Sequence, residues 1–245
     1  EKIHYEKSSQ EYFDESNICN KKNKVLAEKI LIINWNKLSR IIIHKLDEYL
    51  VSGSTLSICI ADSEKIKKEE ENFNHLKNIK VNFIQGDPTS INVLKSLNLT
   101  SFDHIVVLSD FMNYIKNADE RNLITLLNAR NILEKNKGDV TIVSQMLDER
   151  NRAIGDEARA DDFIISEKLI SQYMAQISEN KFLFPLFNEL FTNEGSEIYF
   201  NNMDRYVEKE STVNFYTLVK SASLKGESAI GYRKRKYRYK FDENI

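Results

Sequence analysis

The sequence predicts an α/β chain built on a doubly wound parallel sheet, followed by a crossover helix-turn-helix and a small mixed α+β lobe. Two observations carry this. Between residues 29 and 166, six short runs rich in Val, Ile and Leu alternate with segments of helical period, the pattern of strands covered on both faces. The third run, Val81-Asn82-Phe83-Ile84, stops at Gln85-Gly86-Asp87-Pro88 and passes at Thr89 or Ser90 into a short helix, an extended segment ended by turn residues.

The elements follow in order. Residues 1–23 are polar and without clear period and read as a linker or arm. The first strand is 29–35, and the helix over 37–50 carries Ile41, Ile42, Leu46 and Tyr49 at helical spacing. The second strand, 56–61, precedes a mixed-charge helix over 63–76; the short helix 91–97 and the strand 104–110 come after the third strand. Residues 117–136 form a longer helix with Leu123, Leu126, Leu127, Ile132 and Leu133 inward, and Gly138 ends it. The fifth strand is 140–147, a helix covers 148–160, and the sixth strand is 161–166, closing a lobe over 24–166.

Residues 167–194 read as the helix-turn-helix. Its first helix, 168–179, sets Leu169, Tyr173 and Ile177 on one stripe; the second holds Phe182, Phe184, Leu186, Phe187, Leu190 and Phe191. That is too apolar for a lone surface helix. Packing on the domain's own core is one reading, and a subunit interface is the sharper one. From Gly195 onward, strand-like runs at 197–201, 214–219 and 228–232 give a small lobe over 195–245.

Composition excludes several classes. The 245 residues carry 35 basic and 37 acidic side chains, so bulk charge attracts neither nucleic acid nor membrane. Cys59 lies inside an apolar run and reads as a core residue, and with Cys19 forty residues away a reducing, cytoplasmic setting is expected. No apolar run nears the roughly 18 residues that span a bilayer, and no signal peptide is visible. The chain begins at Glu1, as a piece of a longer polypeptide would.

Five stretches, in order, carry a family resemblance: Ile30-Leu31-Ile32-Ile33-Asn34-Trp35, Gly86-Asp87-Pro88-Thr89-Ser90, the run from Asp162 to Ile170, the run from Leu186 to Glu197, and Ile230-Gly231-Tyr232-Arg233. The layout resembles an RCK (TrkA-N-like) domain with a Rossmann-like lobe, and more specifically the Castor/Pollux type of ligand-gated cation channel in a bacterial-type version. The resemblance implies a cytosolic gating-ring domain of a membrane protein, below a tetrameric pore formed by transmembrane segments of the same polypeptide. It also implies self-association through the helix-turn-helix and calcium as the expected ligand.

In a sheet of this kind ligands bind beyond the carboxyl ends of the strands, at the switch point between strands one and four. The dinucleotide fingerprint G-x-G-x-x-G falls there on Asn34-Trp35-Asn36-Lys37-Leu38-Ser39, with every glycine replaced. Asn34 tolerates a left-handed backbone. Asn36 is expected to set a side chain where the pyrophosphate must approach, and Trp35 adds bulk. Asp62 stands where an acid would hold a ribose hydroxyl, and is equally a helix N-cap. The positions a cofactor would meet are thus Asn34, Trp35, Asn36, Asp62, Gly86 and Asp87, and NAD or another nucleotide is not expected to bind. For calcium the candidates are the carboxylates near strand ends three and four, Asp110, Asp119 and Glu120, with Asp87 beside them. Asp119 and Glu120 also open a helix, where acids are favoured in any case.

No enzyme signature stands out. His4, His44, His75 and His104 lack partners at ligand spacing, and neither G-x-S-x-G nor a P-loop occurs. The segment 232–240, with six basic residues and three tyrosines, reads as a solvated strand or chain end more readily than as a phosphate-binding surface, and no nucleic-acid partner is expected. A regulatory, non-enzymatic channel domain is the favoured reading. Its rival is a stand-alone Rossmann-type nucleotide-binding regulator or oxidoreductase.

Overall fold

A computed structural model describes residues 14–19, 26–110, 117–136, 140–151, 162–192 and 197–233. They fall into two compact units, one formed by residues 25–197 and the other by the N-terminal segment with residues 198–245.

The larger unit is a six-stranded parallel sheet in the order β3-β2-β1-β4-β5-β6. Its strands are β1 (Lys29–Ile33), β2 (Ser54–Ile60), β3 (Ile79–Gln85), β4 (His104–Val107), β5 (Thr141–Met146) and β6 (Asp162–Ile165). The helices are α1 (Ser39–Tyr49), α2 (Ser63–Glu69), α3 (Ile91–Ser96), α4 (Ala118–Lys135), α5 (Ser166–Glu179) and α6 (Leu183–Leu190). Alternation along β1 divides the core. Leu31 and Ile33 join Cys59, Ile105, Val107 and Ile142 against α4, while Ile30 and Ile32 join Leu56, Ile58, Trp35 and Phe73 against α1. Both faces of the central strands are therefore apolar, which is why they read as unbroken runs. Ile33 pairs with Cys59 on one side and Val107 on the other, so β1, β2 and β4 end level and their loops share one edge. That edge is the switch point.

Several expectations shift by a step around a helix. In α4 the inward positions include Leu123, Leu126, Ala129, Ile132 and Leu133, whereas Leu127 is exposed; one residue moves the side chain about 100° from Leu126. In α1 the fully buried apolar residue is Ile43, with Ile41 and Tyr49 outside. The helix expected over 63–76 ends at Glu69 and continues as a 3-10 turn, Glu70–Phe73. Gly138 and residues 152–160, expected to end α4 and form a helix, lie outside the described residues.

In the smaller unit the run 214–219 is not a strand. It opens α7 (Phe215–Ser223), capped by Asn214, whose side chain accepts from the Thr217 N–H. Its β-branched and aromatic residues mimic a strand, but Thr217, Leu218, Ser221 and Ala222 are the buried set, spaced for one helical face. Residues 197–201 and 228–232 form no strand ladder. The described part of the segment read as a linker is instead paired: Ile18 bridges Val207 antiparallel, and the Cys19 N–H donates to Tyr206 O at 2.9 Å. The small lobe is thus stitched from both ends of the chain. The basic residues of 234–240 lie outside the described residues.

Candidate functional site

The loop after β1 is where a dinucleotide fold would place its phosphates. Asn34 adopts φ +70°, the left-handed turn that a fingerprint glycine would otherwise supply and that Asn makes at low cost. Its N–H donates to Cys59 O at 2.9 Å, and its side-chain amide donates to Leu108 O at 3.1 Å. Trp35 lines the crevice with one edge and packs its ring into the core, against Phe73 and Phe83 at ring separations of 6.2 and 5.9 Å.

Asn36 is a correction. Its side chain is 1% exposed and points under the loop. The Nδ2 group donates to Ser109 O at 2.9 Å and to Gln145 Oε1 at 2.8 Å, while Oδ1 accepts from the Leu38 N–H at 2.8 Å. Gln145 Oε1 also accepts from the Ser109 N–H. Asn122, in the first turns of α4, donates to Ser109 Oγ at 2.8 Å and to Gln145 O at 2.9 Å. Asn36, Ser109, Asn122 and Gln145 thus form one neutral, buried polar network beneath the ends of β1, β4 and β5, and the half-buried Asn34 joins it by donating to Asn122 Oδ1 at 3.4 Å. Sequence reasoning missed Ser109, Asn122 and Gln145. The available signal was Ser144-Gln145 interrupting an otherwise apolar strand, since a polar residue in a doubly covered strand needs a partner.

The same loop has little left to offer a phosphate. The N–H of Asn36 donates to Ser39 Oγ at 2.9 Å, that of Leu38 to Asn36 Oδ1, and that of Ser39 to Asn36 O at 3.1 Å. A pyrophosphate needs such groups pointed outward. These three amides are instead turned back onto the loop's own atoms.

Above the loop is a crevice of about 250 Å³ lined by Asn34, Trp35, Ile60, Ala61, Asp62, Lys65, Pro88, Asp110 and Arg121, below the roughly 300–1,000 Å³ of ordinary ligand pockets. Asp62 caps α2, accepting from the N–H groups of Glu64 and Lys65 at 3.0 Å. Gly86 makes room for packing: a Cβ there would lie 2.6 Å from a Val93 methyl. Asp87 accepts from the Thr89 N–H and hydroxyl and from Arg121 at 3.0 Å. Burial alone would raise its pKa; the Thr89 bonds and the Arg121 guanidinium overcome that and hold the carboxyl below its ordinary range. Cys59 nearby is pushed up to about 11 by burial, with the Asp87 charge adding to it.

The calcium candidates are not gathered. Asp119 is buried and commits both oxygens to residues after β5, accepting from Leu147 N at 2.8 Å, and from Asp148 N and Asn151 Nδ2 at 2.9 Å. Asp110 lines the crevice and Glu120 faces solvent. Among the described residues no three His, Cys, Asp or Glu side chains are grouped to hold a metal ion.

The α5–α6 hairpin is built differently. Tyr173 of α5 meets Phe187 edge to face at 5.1 Å, and Phe187 stacks with Phe191 at 6.5 Å. Yet neither helix has a buried residue. Leu169, Ile170, Met174, Phe182, Phe184, Leu186 and Phe191 are all more than half exposed, and Phe187 and Leu190 are half-buried. None of the described helices is long and apolar enough to cross a membrane.

Comparison with known proteins matches this architecture. The TrkA-N domain matches residues 30–166, the whole parallel sheet from β1 to the end of β6. The probable ion channel POLLUX of Arabidopsis thaliana is 30% identical over 241 residues, covering 84% of this chain and 29% of the relative. The ion channel CASTOR of Lotus japonicus is 27% identical, covering 84% of this chain and 28% of the relative. The chain therefore spans under a third of the length of these relatives. Among solved structures, the GsuK channel bound to NAD aligns with TM-score 0.47 and 17% identity, over 62% of this chain and 24% of that one. This chain belongs to the TrkA-N domain family.

Proposed function

We propose that this chain is the regulatory domain of a cation channel, transmitting a ligand-dependent rearrangement to a pore formed elsewhere in the same polypeptide. It acts through pairing of α5–α6 hairpins between copies. The observation that supports it best is the hairpin itself: large apolar side chains, including Phe182, Phe184 and Phe191, stand more than half exposed on two helices with no buried residue. A contiguous apolar patch of this kind marks an interaction site. A copy of the same hairpin related by a two-fold axis would cover it with matching chemistry. Assembled into a larger ring, such pairs give two packings whose balance a ligand can shift, which is what gating requires. The likeness to Castor and Pollux channels over 84% of the chain supports the same reading.

Calcium enters this reading as the ligand, on the strength of the resemblance. It needs six to eight oxygens, and with Asp119 committed to the residues after β5 the remaining ligands must come from beyond Asp110 and Glu120. Melting in millimolar calcium against chelator tests that part, because a ligand of the native state raises the melting temperature; identical curves remove calcium. Sedimentation of the purified chain tests the assembly. A dimer or larger species at tens of micromolar is expected, and a clean monomer would overturn the reading.

A further inference from the structure

We propose that the buried amide network performs, within the chain, the tying role that a bound pyrophosphate performs in dinucleotide-binding sheets of this architecture, and that the strand-end loops are set without a nucleotide. A dinucleotide bound at a switch point bridges the loop after β1, the end of β4 and the first turn of a helix. Here each of those bridges is a side chain. Asn36 spans from the β1 loop to Ser109 after β4 and to Gln145 on β5. Asn122 spans from α4 to Ser109 and Gln145. Asn34 donates to Leu108 O and to Asn122 Oδ1, and Gln145 Nε2 reaches Ser166 Oγ at the start of α5.

Three features make this a replacement for the ligand. All five side chains are uncharged amides or hydroxyls, so the network needs no counter-ion. Asn36 turns its oxygen back onto the Leu38 N–H, one of the amides a phosphate would have claimed. Finally, Asn34, Asn36 and Ser39 stand at the three glycine positions, and each makes a bond that glycine lacks the side chain to make. Asn36 is on this account a positioning residue: it fixes the loop through Ser109 and Gln145 and touches no ligand. Because Gln145 contacts Ser166, the network also reaches the base of the helix that leads into the hairpin.

Amide hydrogen exchange on the whole 245-residue chain, without and with added NAD, NADP or ATP, tests this. The ligand-free protein should protect the amides of residues 36, 38 and 39 to the level of the neighbouring strands, and about 1 mM nucleotide should add nothing. Asn36→Ala should speed exchange at residues 38 and 39 by about tenfold or more while leaving the β2–β3 pairing as it was. Loop-like exchange at these amides in the ligand-free protein would overturn the inference. So would further protection by a nucleotide, or an Asn36→Ala variant that exchanges like the wild type. Should Asn36→Ala fail to fold, Asn122→Ala carries the same comparison. A monomeric protein with these amides protected would defeat the proposed assembly and leave this inference standing, so the two fail separately.

Discussion

At the ends of the strands, and at every other described position, no buried polar side-chain atom lacks a hydrogen-bond partner; on the α5–α6 hairpin, large apolar side chains face outward without cover. The two regions lie in one compact unit, yet the polar groups of one are satisfied by its own residues, while the apolar groups of the other stand in solvent. The contrast is what the proposed pairing rests on. A surface whose groups are mutually satisfied gains little from a ligand, whereas one that leaves phenylalanines in water gains from any partner that hides them. On the proposed reading the dependence lies at the hairpin rather than at the crevice, where the fold traditionally takes a ligand.

The largest expected effect is therefore on assembly. Phe184 is more than half exposed and takes part in none of the hairpin's own ring contacts. Burying a phenylalanine contributes about 1.5–3 kcal/mol, and a two-fold interface contains each residue twice. Phe184→Asp should thus weaken pairing by two decades or more in Kd, read by sedimentation, with the melting of the sheet unchanged once monomeric. A variant that pairs as the wild type does would move the interface off this face.

Breaking the other side of the comparison costs less but strikes folding directly. Asn36→Ala removes the donor to Ser109 O and Gln145 Oε1 and orphans the Leu38 N–H. Orphaned buried groups cost about 1–3 kcal/mol each and share a network, so a loss of about 3 kcal/mol in chemical denaturation is expected. Gly86→Ala comes next. Its Cβ would press on Val93 at 2.6 Å, an overpacking that costs about 1–3 kcal/mol, and Val93→Ala in the same chain should recover most of it.

These cases show how much was legible. The sheet was, because six apolar runs between crossover helices admit few other folds, and so was the replacement of all three fingerprint glycines at 34, 36 and 39. What the replacing residues do was not legible. Asn36 looked like an obstruction in the crevice because its direction depends on Ser109 and Gln145, residues 73 and 109 positions away. That the Trp35 ring also packs on Phe73 and Phe83 was not legible for the same reason, since both come from other elements. The run 214–219 read as a strand because β-branched and aromatic residues are shared by both states, and the Asn214 cap that decides it is a single residue's signal.

The smallest effect concerns Asp87. Its carboxyl is held below the usual range, so its contribution is fully present above the unfolded value near pH 4 and is lost as pH falls through the lower folded one. The pair with Arg121 is half exposed, which limits the contribution to about 1 kcal/mol or less. Asp87→Asn should lower stability by that amount at neutral pH, and the gap to the wild type should close below about pH 4.

The contrast between a completed crevice and an uncovered hairpin is tested most directly by hydrogen exchange at two protein concentrations, about 1 and about 100 micromolar. Protection over 166–190 should rise with concentration while residues 36, 38 and 39 stay equally protected at both. Hairpin protection that does not change with concentration, or crevice amides that respond in its place, would contradict the account.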